Sequence, residues 1–197
     1  MEQDRPLFIP VILGTPRRGR RSLFAARLVT DEITKRPGLT SELLDVAEFR
    51  LPYDDAGEQI KHPAFAERME RADAIVIVCP EYNHGYPGPL KHLLDSCLRE
   101  YIHKAAGVVG VSAGPWGGTR AIEALLPVLR ELGLVTIFWD VNFSSVQKVF
   151  DAEGKLLEPA FPRRIEKFLT ELVWMARTLR QGREHLALDE VPGGSGI

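Results

Sequence analysis

The sequence predicts an α/β protein whose parallel sheet is doubly wound, with helices on both faces. Two patterns predict this class. Five short apolar runs, rich in β-branched residues, alternate along the chain with five segments of helical periodicity. The runs are almost continuously hydrophobic, which is typical of strands covered on both faces. Parallel neighbours require connections long enough to hold a helix, and the alternation provides them.

The predicted elements follow one another in a regular order. The predicted strands are residues 7–13, 41–46, 74–79, 108–111 and 134–141. The predicted helices are residues 22–35, 64–71, 89–103, 119–132 and 163–179. Ligands of such sheets bind beyond the carboxyl ends of the strands. We therefore expect the functional site at the loops after the first, third and fourth strands.

Length and composition fit a single soluble domain. The chain has 197 residues, of which 45% are hydrophobic, so it can bury a substantial core. We expect one domain over residues 1–185 and, because of a Gly-Gly-Ser-Gly run, a flexible tail over residues 186–197. The net charge of −2 favours neither nucleic acid nor an anionic membrane as a partner.

The cysteines and the N-terminus indicate a cytoplasmic protein without a metal centre. Cys79 and Cys97 have no neighbouring Cys or His that would complete a metal site, and a reduced compartment fits them best. The first four residues, Met-Glu-Gln-Asp, carry two acidic side chains and no basic one, whereas a signal peptide would begin with basic residues. The longest apolar runs are too short to span a bilayer.

The loop of residues 14–22, after the first strand, has the composition of a phosphate site. It reads Gly-Thr-Pro-Arg-Arg-Gly-Arg-Arg-Ser and leads directly into the first helix. Guanidinium groups, hydroxyls and a helix N-terminus together suit a phosphate monoester. The loop lacks both the G-x-G-x-x-G pattern and a Walker A ending, and its groups fit the terminal phosphate of FMN better than a pyrophosphate. The alternative is a solvated basic loop in which Ser22 only caps the helix.

The loop after the third strand, residues 79–89, predicts a platform for a flat ring. Its three prolines and two glycines impose an unusual backbone path, which suits contact with a heteroaromatic edge. The alternative is a rigid turn with Asn83 in a left-handed conformation. His84 is a possible proton-transfer residue, although only Glu81 offers a carboxylate nearby. The candidate ring contacts are Pro80, Glu81, Tyr82, Asn83, His84 and Gly85.

The loop after the fourth strand, residues 112–120, contains three glycines that permit close approach of the backbone to a ligand. Trp116 lies at the predicted loop tip, where it can cover a ring or contact a partner subunit. A flexible turn is the alternative. The candidate contacts are Ser112, Gly114, Trp116, Gly117 and Gly118.

Together the three loops resemble the NADPH-dependent FMN reductase family, a flavodoxin-like group that includes quinone, chromate and azo-dye reductases. Residues 80–83, Pro-Glu-Tyr-Asn, followed by Gly-Tyr-Pro-Gly-Pro-Leu-Lys at 85–91, are similar to the ring-binding signature of the family. Residues 112–114 and 117–121 are similar to its second flavin loop. The resemblance extends in order over residues 7–145.

The first loop departs from the pattern of the family. Members often have Gly-Ser-x-Arg-x-x-Ser, whereas two extra residues separate Gly14 from Ser22 here. The resemblance makes Thr15, Arg17 and Ser22 the phosphate contacts, with Arg20 or Arg21 as alternatives to Arg17. It also implies strand order 2-1-3-4-5.

The resemblance implies a homodimer or homotetramer in which a neighbouring subunit helps to cover the flavin. Residues 52–63, a polar and irregular segment, are the candidate for part of that interface.

The resemblance further implies an FMN-dependent oxidoreductase that takes a hydride from NADPH or NADH at flavin N5. The reduced flavin would then pass electrons to a small acceptor, such as a quinone, free flavin, an azo compound or a metal oxyanion, by a ping-pong mechanism. Because the cofactor carries this chemistry, the protein needs no dedicated acid or base. The alternatives are a flavodoxin-type electron carrier, which is usually strongly acidic, a non-enzymatic flavin-binding regulatory protein, and a phosphatase-like or nucleotide-binding protein.

Overall fold

A central parallel sheet organises the protein. The computed structural model describes residues 5–53 and 60–186. The predicted flexible tail, apart from Leu186, and residues 54–59 of the predicted interface segment lie outside the described residues. The strands are β1 (Leu7–Phe8), β2 (Val11–Leu13), β3 (Leu39–Thr40), β4 (Leu43–Asp45), β5 (Ala74–Pro80), β6 (Lys104–Val111), β7 (Leu134–Thr136) and β8 (Val141–Phe143).

The first and fifth predicted strands are each divided into two short strands, and the second is preceded by β3, which lies just before its predicted start at residue 41. Pro10 separates β1 from β2, because proline has no N–H to donate to a ladder. Their partners β3 and β4 are divided at the same level, and all pairings are parallel. β7 and β8 pair in turn with the beginning and the end of β6. Between them, Phe138 leaves the sheet and is 74% exposed.

The sheet has the predicted strand order. β4 pairs with β2, β2 with β5, β5 with β6, and β6 with both β7 and β8. If each divided strand is counted once, the order is 2-1-3-4-5, which confirms the prediction. The fourth strand begins four residues before the predicted start, at Lys104, whose ammonium group donates to the carbonyl oxygens of Met69 and Glu70.

Helices cover both faces of the sheet. They are α1 (Ser22–Thr34), α2 (Pro63–Arg71), α3 (Gly88–Leu94), α4 (Thr119–Glu131), α5 (Val146–Val149) and α6 (Phe161–His185). Alternate residues of β5 enter different halves of the core: Val76 and Val78 contribute to the cluster with α1 and α6, and Ile75 and Ile77 to the cluster with α2, α3 and α4.

The third helix is shorter than predicted. It ends at Leu94 rather than near residue 103, because local side chains compete for backbone groups. The Ser96 hydroxyl donates to the Leu93 carbonyl at 2.7 Å, and the Glu100 carboxylate accepts the Leu98 amide at 3.1 Å. A short 3-10 helix (Arg99–Tyr101) follows, and Tyr101 is still fully buried.

A buried charge cluster closes the edge of the sheet opposite the predicted site. Asp73 precedes β5 and is fully buried. Its carboxylate receives two hydrogen bonds from Arg5, at 2.8 and 2.9 Å, and the Phe8 amide at 2.9 Å. Arg180 and Arg183 of α6 lie 3.9 and 3.5 Å from the same carboxylate. The cluster therefore fastens the end of α6 to the sheet.

None of the helices within residues 5–53 and 60–186 has the length and apolarity needed to cross a membrane.

Candidate functional site

The three predicted loops meet in one cleft at the carboxyl edge of the sheet. Its volume is about 500 Å³, which lies within the usual range for small-molecule sites. Residues that end β5 and β6 form its floor, and the first loop and α5 form its sides. The lining residues are Arg17, Gly19, Arg20, Arg21, Ser22, Pro80, Glu81, Tyr82, Val111, Ser112, Ala113, Val146 and Gln147.

The first loop offers an anion site with unused donors. In the described part of the chain, the amide N–H groups of residues 18–22 make no hydrogen bond, as expected at the beginning of a helix. Ser22 is 3% exposed, and its Oγ has no hydrogen-bond partner among the described residues. Ser22 is the first residue of α1 rather than its N-cap, and no side-chain capping bond is present. The structure therefore gives no support to the interpretation that Ser22 only caps the helix.

The arginines of this loop divide into bound and available groups. Arg20 forms an ion pair with the carboxylate of Asp45. Arg21 donates to the carbonyl oxygens of Phe150, at 2.8 Å, and Asp151, at 3.2 Å. The Arg17 guanidinium has no ionic partner among the described residues and lies 4.0 Å above the centre of the Tyr82 ring. Arg17 is thus the most available of these three arginines.

Thr15 connects the first loop to the second. Its side chain is almost fully buried, and its Oγ1 lies 2.9 Å from the hydroxyl of Tyr82. The same Oγ1 accepts the Arg17 amide at 3.3 Å. Since Arg17 also stacks on Tyr82, the predicted phosphate cup and the predicted ring platform form one continuous wall.

The second loop contains a tight two-residue turn. Tyr82 and Gly85 exchange backbone hydrogen bonds of 2.9 and 3.0 Å. Asn83 and His84 between them have φ values of 50° and 69°, which is the pattern of a type I′ turn. The left-handed conformation of Asn83 that the sequence suggested is therefore present, and His84 shares it.

His84 and Glu81 are joined through Arg120, the second residue of α4. The Arg120 Nη1 lies 2.7 Å from His84 Nε2, and its Nη2 forms an ion pair with Glu81 Oε1. Arginine can only donate, so Nε2 accepts and the imidazole proton of this tautomer lies on Nδ1. The lone pair of Nε2 is therefore engaged. The proton-transfer role of His84 stays a prediction, with no support from this geometry.

The third loop owes its paired glycines to packing within the protein. A Cβ atom at Gly118, where φ is 85°, would lie 2.5 Å from the Val111 amide nitrogen, and one at Gly117, where φ is 60°, would lie 2.8 Å from the Asn142 Cβ. A Cβ at Gly114 would meet nothing within 4 Å. Only Gly114 therefore lies open to an approaching ligand, and flavin contact by the paired glycines stays a prediction. Trp116 is 60% exposed, as expected for a loop tip.

Sequence reasoning missed part of the cleft. Val146 and Gln147 belong to α5, a helix of four residues that is too short to produce a periodic pattern. The Gln147 amide donates to the Ala113 carbonyl at 3.0 Å and so holds the third loop. Asp45 and Arg120 were also missed as site residues, because their partners lie 25 and 36 or more residues away along the chain.

The cleft offers little chemistry of its own. Burial raises the pKa of the Cys79 thiol to about 12, and Glu81 adds to the effect, so no thiolate nucleophile forms there at neutral pH. The described residues contain no cluster of His, Cys, Asp and Glu side chains that could hold a metal ion. A cofactor with a terminal phosphate fits the donors that remain: the orphaned Ser22 hydroxyl, the free amides of residues 18–22 and the Arg17 guanidinium.

Known proteins resemble this chain in sequence and in fold. The sequence profile of the family described as NADPH-dependent FMN reductase matches residues 8–148. An NAD(P)H-dependent FMN reductase from Pseudomonas aeruginosa is 34% identical over 152 residues, which cover 73% of this chain and 82% of the relative. A probable NADPH:quinone oxidoreductase from Oryza sativa subsp. japonica is 27% identical over 196 residues, with 89% and 92% covered. The solved structure of FerB, a flavoenzyme NAD(P)H:(acceptor) oxidoreductase from Paracoccus denitrificans, shares the fold with a TM-score of 0.73 at 22% identity, covering 87% of this chain and 98% of FerB. The chain belongs to the NADPH-dependent FMN reductase family.

Proposed function

We propose that this protein binds FMN in the cleft and oxidises NADPH or NADH, passing the electrons to a small acceptor. The single observation that carries this proposal is that, in one cleft, hydrogen-bond donors of residues 17–22 without partners among the described residues meet a preformed turn at residues 82–85. The acceptor is a quinone, free flavin, an azo compound or a metal oxyanion. Donor and acceptor use the cleft in turn, which gives ping-pong kinetics.

The first loop would hold the phosphate. Ser22 Oγ, the amides of residues 18–22 and the Arg17 guanidinium are free to donate to phosphate oxygens. Arg20 adds positive charge, although it shares that charge with Asp45. Thr15 fixes the wall through Tyr82 rather than by an unused group of its own.

The second and third loops would contact the ring. Pro80, Glu81 and Tyr82 line the cleft on one side, and Ser112 and Ala113 line it on another. Bound FMN supplies the hydride acceptor and donor for both half-reactions. The task of the protein is to orient the ring, exclude water and present backbone N–H groups of the turn and the third loop to its polar edge.

We also propose a cytoplasmic homodimer or homotetramer with the flavin near the subunit interface. Support comes from large exposed aromatic side chains: Trp116 of the third loop is 60% exposed, and Phe138 and Trp139, between β7 and β8, are 74% and 46% exposed. The two free, buried thiols suit a reducing compartment. Sedimentation analysis with and without FMN would test the assembly.

The decisive experiment for the activity is anaerobic reduction. The purified protein is reconstituted with FMN, freed of excess flavin and titrated with NADPH or NADH while the visible spectrum is recorded. Bleaching by one equivalent, followed by reoxidation with a quinone, is the expected result. A protein that binds FMN but resists reduction by both nucleotides would instead be an electron carrier, and one that binds no FMN would contradict the proposal.

A further inference from the structure

Arg120 makes its three side-chain contacts with the two loops that border the predicted ring position. Its Nη1 contacts His84 Nε2 at 2.7 Å, and its Nη2 pairs with Glu81 Oε1. The guanidinium also lies 5.7 Å from the centre of the Trp116 ring. Through its side chain, one residue at the start of α4 thus joins the second loop to the third.

The turn that Arg120 contacts needs support from outside. Both of its central residues, Asn83 and His84, have left-handed backbones. Residues other than glycine rarely have this conformation, although asparagine and histidine adopt it more often than most. The Arg120 fork contacts Glu81 immediately before the turn and His84 within it. These contacts lie on both sides of the Asn83 backbone and hold the two left-handed residues in place.

Arg120 also compensates a buried charge beside the cleft. The Glu81 side chain is only 5% exposed and lines the cleft. Its second oxygen, Oε2, has no partner among the described residues. A carboxylate in such a place is costly without a counter-ion, and an uncompensated negative charge would oppose the addition of electrons to a neighbouring ring.

We infer that Arg120 is a positioning residue for the flavin, which holds the turn of residues 82–85 in its binding conformation and neutralises Glu81 beside the ring. The inference rests on the proposed binding of FMN in this cleft. It separates two effects that different measurements detect: the geometry of the turn controls FMN affinity, and the charge of Glu81 controls the reduction potential of the bound flavin.

The test compares Arg120→Ala, Arg120→Lys, Glu81→Gln and the double variant Glu81→Gln with Arg120→Ala. FMN affinity is measured by quenching of flavin fluorescence, and the midpoint potential by anaerobic titration against a reference dye. We expect Arg120→Ala to weaken FMN binding by about tenfold or more, since a charged hydrogen-bonded pair is lost. We also expect reduced FMN to bind about tenfold less well relative to oxidised FMN, a shift of about 30 mV to lower potential for a two-electron couple.

The double variant distinguishes charge from geometry. It should recover the potential of the unmodified protein, because Glu81 no longer carries a charge, while FMN affinity remains low. Arg120→Lys keeps the positive charge without the planar fork, so its potential should stay near that of the unmodified protein while its affinity falls. If Arg120→Ala does not fold, Arg120→Lys tests the geometry and Glu81→Gln tests the charge, since the uncompensated Arg120 should then raise the potential.

Arg130→Ala is the matched control, since Arg130 is an exposed residue of the same helix about 15 Å further along its axis. Arg130→Ala should change neither the FMN affinity nor the midpoint potential. If the unmodified protein binds FMN and Arg120→Ala changes neither FMN affinity nor midpoint potential, the inference about Arg120 is overturned and the proposed function is not. A low potential that persists in the double variant would overturn the charge effect. Absence of FMN binding in the unmodified protein would overturn the proposed function itself.

Discussion

The buried hydroxyl of Ser22 leads to a prediction in which one substitution raises the stability of the ligand-free protein and lowers its affinity for FMN. Its Oγ is buried without a hydrogen-bond partner among the described residues. Such a group has lost its water contacts and gained nothing in return, which costs about 1 to 3 kcal/mol in the ligand-free protein. Ser22→Ala removes that cost. We therefore expect the free energy of unfolding of the ligand-free variant to exceed that of the unmodified protein by about 1 to 3 kcal/mol.

The same substitution should weaken FMN binding. A hydrogen bond to a charged group contributes about 1.5 to 3 kcal/mol, which corresponds to a loss of roughly 10- to 150-fold in affinity. Arg17→Ala should add a smaller loss, of about 1 kcal/mol, because its guanidinium is exposed to water. We expect a total loss of about 2.5 to 4 kcal/mol in binding free energy for the double variant. Arg18→Ala is the control, since this neighbouring arginine is exposed and does not line the cleft.

Two measurements check both signs. Urea denaturation of the ligand-free proteins gives the free energy of unfolding, and fluorescence titration gives the FMN dissociation constant. The stabilisation by added FMN then provides an independent check, because it depends on the logarithm of ligand concentration over dissociation constant. If Ser22→Ala destabilises the ligand-free protein by more than 1 kcal/mol and leaves FMN affinity unchanged, Ser22 is a structural residue and the phosphate site lies elsewhere.

Three further predictions concern the fold and the thiols. Asp73→Asn should lower the free energy of unfolding by about 3 kcal/mol in denaturant titrations, because the fully buried carboxylate would lose its charge interactions with Arg5, Arg180 and Arg183; an effect below 1 kcal/mol would mean that these ion pairs add little to stability. Gly118→Ala should lower the free energy of unfolding by more than 2 kcal/mol, whereas Gly114→Ala should change thermal stability little, since only at Gly118 would the added Cβ meet backbone atoms. Equal effects of the two substitutions would contradict this interpretation of the loop. Burial raises the pKa of Cys79 to about 12 and that of Cys97 to about 11, so iodoacetamide at pH 8 should label neither thiol before unfolding and both after it. Rapid labelling of the folded protein, followed by mass spectrometry, would refute that expectation.

The fold was predictable because its strongest signals are local in sequence. β5 is buried at every position, and its apolar run could be identified without any neighbour. The predicted elements were wrong where a few hydrogen bonds decide where a helix ends. The third helix was extended to residue 103 because Cys97 and Tyr101 continue its apolar face, yet the chain reaches those buried positions through a turn. Helical spacing indicates which residues are buried more reliably than it indicates where a helix ends.

The site was predictable in position and only partly in its contacts. Parallel strand order alone places the loops after the first, third and fourth strands at one edge. The residues that fix those loops could not be inferred, because Asp45, Arg120 and Gln147 find their partners through tertiary packing. The resemblance favoured Arg17 as the phosphate contact and left Arg20 and Arg21 as alternatives. Their division into bound and available groups depends on partners from distant parts of the chain.

The different contacts of these arginines explain how a weakly acidic chain can form a rigid anion site. Arg20 is paired with Asp45, and Arg21 donates to two backbone carbonyls. These bonds fix the loop before any ligand arrives. The Arg17 guanidinium, the Ser22 hydroxyl and the amides of residues 18–22 then remain available to bind the ligand. Because the loop is already ordered, binding loses little conformational entropy, and more of the contact energy remains as affinity. Without the Asp45 carboxylate, the loop would keep the positive charge of its arginines but would no longer be held in order. Asp45→Asn should therefore weaken FMN binding, even though it removes a negative charge that repels phosphate.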